Sequence, residues 1–258
     1  MNKKELIKYL DEYLKINDFV DSSKNGLQID NSKDEIKKIG YAVDANSYIF
    51  ERGVNEGVDM VISHHGIFWG HEDVLVGVPY KRAKIMIEND ISSYAAHLPL
   101  DAHEDVGNNI GLAKAFINIF GFREGEYKLE PFCEYKGNII GFGLRFDRPV
   151  HISNLVTSYA EQMQLLKRLY NFGNKDYINS IAFVSGGAGS DYKQAFEEGY
   201  DVYVTGEANH GQISGAKEML QSIFLGGHYE TEKIGPKLLA YHLRDKFGLE
   251  IVFLDEKY

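Results

Sequence analysis

The chain has 258 residues, of which 44% are hydrophobic, with a formal net charge of -10 and a single cysteine, Cys133. This is enough for one large α/β domain or two packed halves; a lone cysteine excludes an intramolecular disulfide framework and any cysteine-rich zinc module, and the acidic balance disfavours nucleic acid while favouring cations. No stretch approaches the roughly 18–20 consecutive apolar residues of a membrane helix, and the opening MNKKELIKYLDEYLKI lacks a signal peptide's apolar core, so a soluble, cytoplasmic protein with no membrane partner is expected.

In chain order, Leu6, Ile7, Leu10, Tyr13 and Leu14 recur at the spacing of one buried helix face and predict a helix over 3–16, followed by a loop. Residues 38–43 read as a buried strand, 45–56 as a helix, 57–63 as a strand, 80–89 as a helix and 91–96 as a strand, which is βαβαβ. Residues 137–147 and 151–164 read as a strand and a helix. The order then repeats, with strand 179–184, helix 190–198, strand 200–205, helix 210–221 and strand 222–226.

The repeat extends to residues. Glu56-Gly57-Val58-Asp59-Met60-Val61-Ile62-Ser63 lines up with Glu198-Gly199-Tyr200-Asp201-Val202-Tyr203-Val204-Thr205, and in each half a His is followed four residues later by a carboxylate, His97 to Asp101 and His228 to Glu232. The period is too long for a solenoid and points to an internal duplication. The expected architecture is α/β: two βαβαβ lobes, about 1–130 and 131–258, joined without a low-complexity linker and packed as one compact unit. Ligand sites in open α/β sheets lie beyond the carboxyl ends of the strands, so a metal site between strand ends is expected.

His64-His65 follows a predicted strand and precedes Gly66; adjacent strand residues point apart, but at a strand end before a glycine turn both imidazoles can enter one cavity. Asp101 lies in His97-Leu98-Pro99-Leu100-Asp101-Ala102-His103, where Pro99 argues for a loop. Standing alone, such an Asp is ordinarily a helix N-cap, but His97 and His103 favour a polar pocket. His228 and Glu232 follow Gly226-Gly227 and, on a helix, share a face one turn apart. Five ligands suit two ions better than one. With Glu232 bridging, His64 and Asp101 can hold one ion and His65 and His228 the other, leaving positions open for water. Mixed imidazole and carboxylate ligands select zinc, iron, manganese or cobalt.

Glu207 and His210 hold the place in the second half that the His pair holds in the first, and Glu207 and His97 are the candidate proton-transfer residues. Gly186-Gly187-Ala188-Gly189 lacks the spacing of a nucleotide-binding fingerprint and reads as a tight turn. Phe68 and Trp69 read as core or cavity wall.

Asn25-Gly26-Leu27-Gln28, Ser63-His64-His65-Gly66, the His97 to Asp101 stretch and Gly226-Gly227-His228 through Glu232, with Thr205-Gly206-Glu207 and the Gly186-Gly187 turn, together resemble the GTP cyclohydrolase 1 type 2 homologue family, the Ngg-one-interacting-factor-three-like proteins. The resemblance covers essentially the whole chain, which is too short to hold the insertion domain that longer members carry between the halves. It implies duplicated α/β chains assembled as a homohexamer, a trimer of dimers, with a dinuclear metal site in which His64, Asp101 and Glu232 hold one divalent ion and His65, His228 and Glu232 the other. It also implies a metal-dependent hydrolase acting on a small molecule such as a nucleotide or cyclic amide. A non-enzymatic metal-binding ring that recruits partners is the alternative.

Overall fold

The computed structural model describes residues 1–70 and 74–256. In chain order its helices and strands are α1 (Lys3–Tyr13), β1 (Gly26–Ile29), β2 (Lys38–Ala42), α2 (Ser47–Glu56), β3 (Met60–Ser63), α3 (Gly77–Glu88), β4 (Ser92–Ala95), α4 (Leu98–Ala102), α5 (Asn108–Phe120), β5 (Tyr127–Tyr135), β6 (Asn138–His151), α6 (Ala160–Met163), β7 (Arg168–Tyr170), β8 (Tyr177–Phe183), α7 (Tyr192–Glu197), β9 (Val202–Thr205), α8 (His210–Glu218), β10 (Ser222–Leu225), α9 (His228–Glu232), α10 (Ile234–Phe247) and β11 (Glu250–Phe253). A short 3-10 turn spans Ile16–Asp18, and a π-helical turn, Leu155–Tyr159, leads into α6. None of the helices among the described residues is long and apolar enough to cross a membrane.

Contacts divide the chain into two units, residues 1–100 with 235–258, and residues 101–234. The expected lobe boundary near 130 therefore does not coincide with the observed division: the second unit begins at Asp101, and the C-terminal helix and strand return to the first.

The first unit carries a sheet of order β1-β4-β3-β2-β11. Its β2, β3, β4 and β11 run parallel, and β1 joins the β4 edge antiparallel. Every side chain of β3 and β4 is buried, as expected for parallel strands covered on both faces. Ile49, Phe50, Val58, Val61, Ala83, Met86, Ile91 and Leu254 form its apolar centre. Helix α1 begins at Asn2, whose side chain accepts from Glu5 N at 3.2 Å, and buries Leu6 and Leu10 one turn apart.

The second unit carries a sheet of order β5-β6-β8-β9-β10-β7. Strands β8, β9 and β10 are parallel, β7 joins the β10 edge antiparallel, and the long β5–β6 hairpin is added beyond β8. Leu112, Phe116, Leu144, Tyr159, Phe183, Val204 and Phe224 pack its core. The expected strand 137–147 extends to His151, and the expected helix 151–164 shortens to the π turn and α6.

The duplication is visible in register as well as order. Met60 pairs with Ile39 and Ser92, and Val202 pairs with Ile181 and Ser222. Asp59 Oδ2 accepts from the amides of Lys37 and Lys38 at 2.8 and 3.0 Å while Oδ1 meets Lys33 Nζ at 2.6 Å. Asp201 repeats this, accepting from the amides of Asn179 and Ser180 at 2.7 and 3.1 Å and pairing with Lys175. For both carboxyls burial raises the pKa, but the lysine and the two amides outweigh it and hold the group below its ordinary value. Register also corrects one alignment: Ser63 matches Thr205 and Ala95 matches Leu225, so His65 corresponds to Glu207 but His97 corresponds to Gly227, one residue short of His228.

Five further elements differ from expectation. The loop after α1 contains β1, which pairs with β4. The stretch containing Pro99 is not a loop but the one-turn helix α4, with proline in the first turn, where its missing N–H leaves no helical bond unmade. Helices α5 and α10 and strand β11 lie where no element is predicted from the sequence.

Candidate metal centre

In the first unit the carboxyl ends of three adjacent parallel strands supply the polar groups: Asp44 after β2, His64 and His65 after β3, and His97 after β4. His64 is fully buried, and its Nδ1 donates to the Ala96 carbonyl at 3.0 Å. His65 Nδ1 donates to Asp44 Oδ1 at 2.8 Å. His97 Nδ1 donates to Asp21, at 2.9 Å to Oδ1 and 3.1 Å to Oδ2. An oxygen acceptor requires the proton on Nδ1, so in each neutral ring the lone pair is on Nε2, the arrangement usual in metal-binding histidines. The ring centroids lie 4.8, 5.1 and 5.7 Å apart for His64–His65, His64–His97 and His65–His97.

The segment Asn25–Gln28 braces this cluster. Asn25 Oδ1 accepts from the His97 amide at 2.8 Å and its Nδ2 donates to Asp21 Oδ2 at 3.0 Å. Gln28 Oε1 accepts from Ile67 N at 2.7 Å, and the Gln28 amide lies where a side chain on Gly66 would have to go. Burial raises the Asp21 pKa, but the hydrogen bonds from His97, Asn25 and the Ser23 amide outweigh it and hold the carboxyl well below the usual range. Trp69 donates Nε1–H to Gly66 O at 2.9 Å and meets the His97 ring edge-on at 5.0 Å, so it walls the imidazoles. Phe68 packs against the apolar centre.

In the second unit the ends of β8, β9 and β10 supply Ser185 and Gly186, Glu207, and His228. The predicted one-turn pairing of His228 and Glu232 is observed on α9, with Nε2 3.2 Å from Glu232 Oε1. Nδ1 of the same ring lies 3.1 Å from Glu207 Oε1. The Glu232 side chain is only 4% exposed, whereas that of Glu207 is 64% exposed. A buried carboxylate needs compensation: two Lewis-basic atoms 3.2 Å apart either share a proton or share a cation, and this donor set fits a divalent transition metal.

Glycine makes room for the pair. Gly186, at φ +65°, is so close to Glu232 that a Cβ there would overlap Oε1, and His228 Nε2 is 3.3 Å from the same point. The turn is fixed by Gly186 N donating to Thr231 Oγ1 and Glu207 N donating to Gly186 O, both at 3.0 Å. Asp101, at the start of the second unit, is buried. Its Oδ1 accepts from Asn108 Nδ2 at 2.9 Å and Ser185 Oγ at 3.0 Å. Asn109 continues the brace, accepting from Ser185 N at 2.6 Å.

Of the predicted residues, the first unit brings together His64, His65 and His97, and the second brings together Glu207, His228 and Glu232. His103 is a loop brace whose Nδ1 accepts from the amides of Asp105 and Val106. His210 opens α8 with an exposed side chain, next to the N-cap Asn209. Asp21, Asp44, Asn108 and Ser185 are missed by sequence reasoning. Their positions at neighbouring strand ends, or beside a motif already noted at Asn25–Gln28, are the signal that could have found them.

The sequence matches the Duf34/NIF3 (NGG1p interacting factor 3) family over residues 1–258. It is 39% identical over 256 residues to the GTP cyclohydrolase 1 type 2 homolog of Pyrococcus horikoshii and 37% identical over 256 residues to that of Pyrococcus abyssi, covering 99% of this chain and 98% of each relative. The structure is similar to that of TTHA1606 from Thermus thermophilus, with 35% identity, a TM-score of 0.84, and 100% of this chain and 99% of that one covered. With the family match spanning every residue and relatives this similar along their whole length, the chain belongs to the Duf34/NIF3 family.

Proposed function

We propose that the chain is a dinuclear metal-dependent hydrolase in which His64, His65, Asp101, His228 and Glu232 are the ligands of two divalent ions. The observation that carries this reading is the common tether of the imidazoles: His64, His65 and His97 each donate Nδ1–H to an oxygen, leaving Nε2 as the Lewis-basic nitrogen. The buried Glu232 beside His228 supplies the carboxylate in the second unit. Divalent ions held by such groups supply Lewis acidity and make water nucleophilic at neutral pH.

The protein's own groups would then do the following. Asp44 and the Ala96 carbonyl hold His65 and His64 in one tautomer. Glu207, largely exposed and tied to His228 Nδ1, can take a proton from water and return it to a leaving group. His97, fixed by Asp21, is the second proton carrier. The substrate class proposed, a nucleotide or cyclic amide, follows the name carried by the relatives.

The test is a hydrolysis screen of nucleotides and cyclic amides with metal-loaded protein, with and without chelator and beside Glu232→Gln. Turnover abolished by both treatments is expected. Stoichiometric metal without turnover on any of these substrates would overturn the hydrolase reading in favour of a metal-binding scaffold.

A further inference from the structure

We infer that the carboxyl end of β8 is the template on which the second unit's metal ligands are set, and that Ser185, with Asn108, is a positioning residue that holds Asp101 to ligate through Oδ2. This rests on the metal-binding reading above and adds to it the residues that orient one carboxylate ligand and the oxygen through which it binds.

Three observations converge. Asp101 Oδ1 accepts from Asn108 Nδ2 at 2.9 Å and from Ser185 Oγ at 3.0 Å. A carboxylate oxygen has two lone-pair sites, so these two donors fill Oδ1 and direct a cation to Oδ2. Both donors are neutral and orient the carboxylate without cancelling its charge.

The donors are themselves fixed. Asn108 and Asn109 are fully buried in the first turn of α5. Asn109 Oδ1 accepts from Ser185 N, and its Nδ2 donates to the Ile140 carbonyl, both at 2.6 Å. The residue after Ser185 ties the same strand end to the other two ligands. Gly186 N donates to Thr231 Oγ1 at 3.0 Å, and Thr231 Oγ1 donates to Gly227 O at 2.8 Å across the start of α9, the helix that bears His228 and Glu232.

A purely structural role explains the network less well. A buried aspartate, two asparagines and a serine are costly to desolvate compared with apolar side chains of similar volume. Linked in series, their hydrogen bonds fix the rotation of a single carboxylate, which is what an outer shell of partners does for a metal ligand.

The test uses the full chain with zinc as probe, competed against a chromophoric chelator so that the affinity of each ion is read separately. Ser185→Ala and Asn108→Ala should each weaken one ion, the one assigned to His64, Asp101 and Glu232, by roughly 10–100-fold, and leave the other nearly unchanged. Asp101→Asn should weaken the same ion, and adding Ser185→Ala to Asp101→Asn should weaken it no further, because the group that Ser185 orients has already lost its charge. If circular dichroism shows Ser185→Ala unfolded, Asn108→Ala carries the same comparison. Wild-type affinity for both ions in Ser185→Ala and Asn108→Ala would overturn this inference alone. So would equal weakening by Ser185→Ala in the wild-type and Asp101→Asn backgrounds, the mark of a general loss of structure. Wild type without stoichiometric zinc would overturn the metal-binding reading and this inference together.

Discussion

Substituting Gly186 by Ala should damage the site in a way that separates backbone strain from crowding. Gly186 has φ +65°, and a Cβ there would overlap Glu232 Oε1, with His228 Nε2 at 3.3 Å. Placing alanine in a left-handed conformation costs about 1 kcal/mol. The overlap adds an overpacking cost of roughly 1–3 kcal/mol, because Glu232 is buried and the turn is held by Thr231 and Glu207. Gly57 is the natural control: its φ is +66° and nothing lies within 4 Å of its added Cβ. Thermal unfolding of metal-free protein should therefore show Gly57→Ala lower in Tm by roughly 2–4 °C and Gly186→Ala by roughly 4–16 °C, using about 2–4 °C per kcal/mol for a chain of this size. Gly186→Ala should also lose metal, whereas Gly57→Ala keeps it. If the two variants unfold alike and both retain metal, the crowding argument for Gly186 is wrong.

Asp59→Ala and Asp201→Ala should each cost about 1.5–3 kcal/mol in denaturant unfolding, since each strips two backbone amides and a lysine of one charged acceptor. Because both folded-state pKa values are depressed, this stabilisation is present above the ordinary carboxylate pKa and is lost as pH falls through the lowered values. Wild type should therefore lose stability on acidification more steeply than the double Asn variant, and parallel acid profiles would count against the assignment. Gly66→Ala should destabilise by forcing the Gln28 amide away from Ile67 N, and adding Gln28→Ala should recover part of that loss. Strict additivity in the double-mutant cycle would show that the two residues are uncoupled.

Much of the fold is legible because the repeat is written in residues that do the same work twice. Asp59 and Asp201 close equivalent clasps on the preceding strand, so the two eight-residue segments align without a gap. The pairing of His97 with His228 is off by one, since a spacing of four looks alike on either side of a helix start. His97 stands before α4 and His228 opens α9, and only strand register exposes the offset.

Strand β11 has the local signal of a strand in Ile251, Val252 and Phe253, but nothing local shows that its partner is β2, about two hundred positions earlier. Pro99 misleads because a proline excluded from a helix interior is tolerated in a first turn. The metal-ligand candidates stand out because histidine pairs at strand ends are rare in composition and specific in position. Their supports, Asp21 and Asp44, do not, since an aspartate in a loop reads the same whether it caps a turn or holds an imidazole.

Metal content per chain by elemental analysis, on protein purified without a histidine tag or chelator, tests the central claim most directly when wild type is compared with Glu232→Gln. The dinuclear site predicts about two ions per wild-type chain, with roughly 10-fold or greater weakening of retention in the variant. Wild type without stoichiometric metal, or a content indifferent to Glu232, would contradict it.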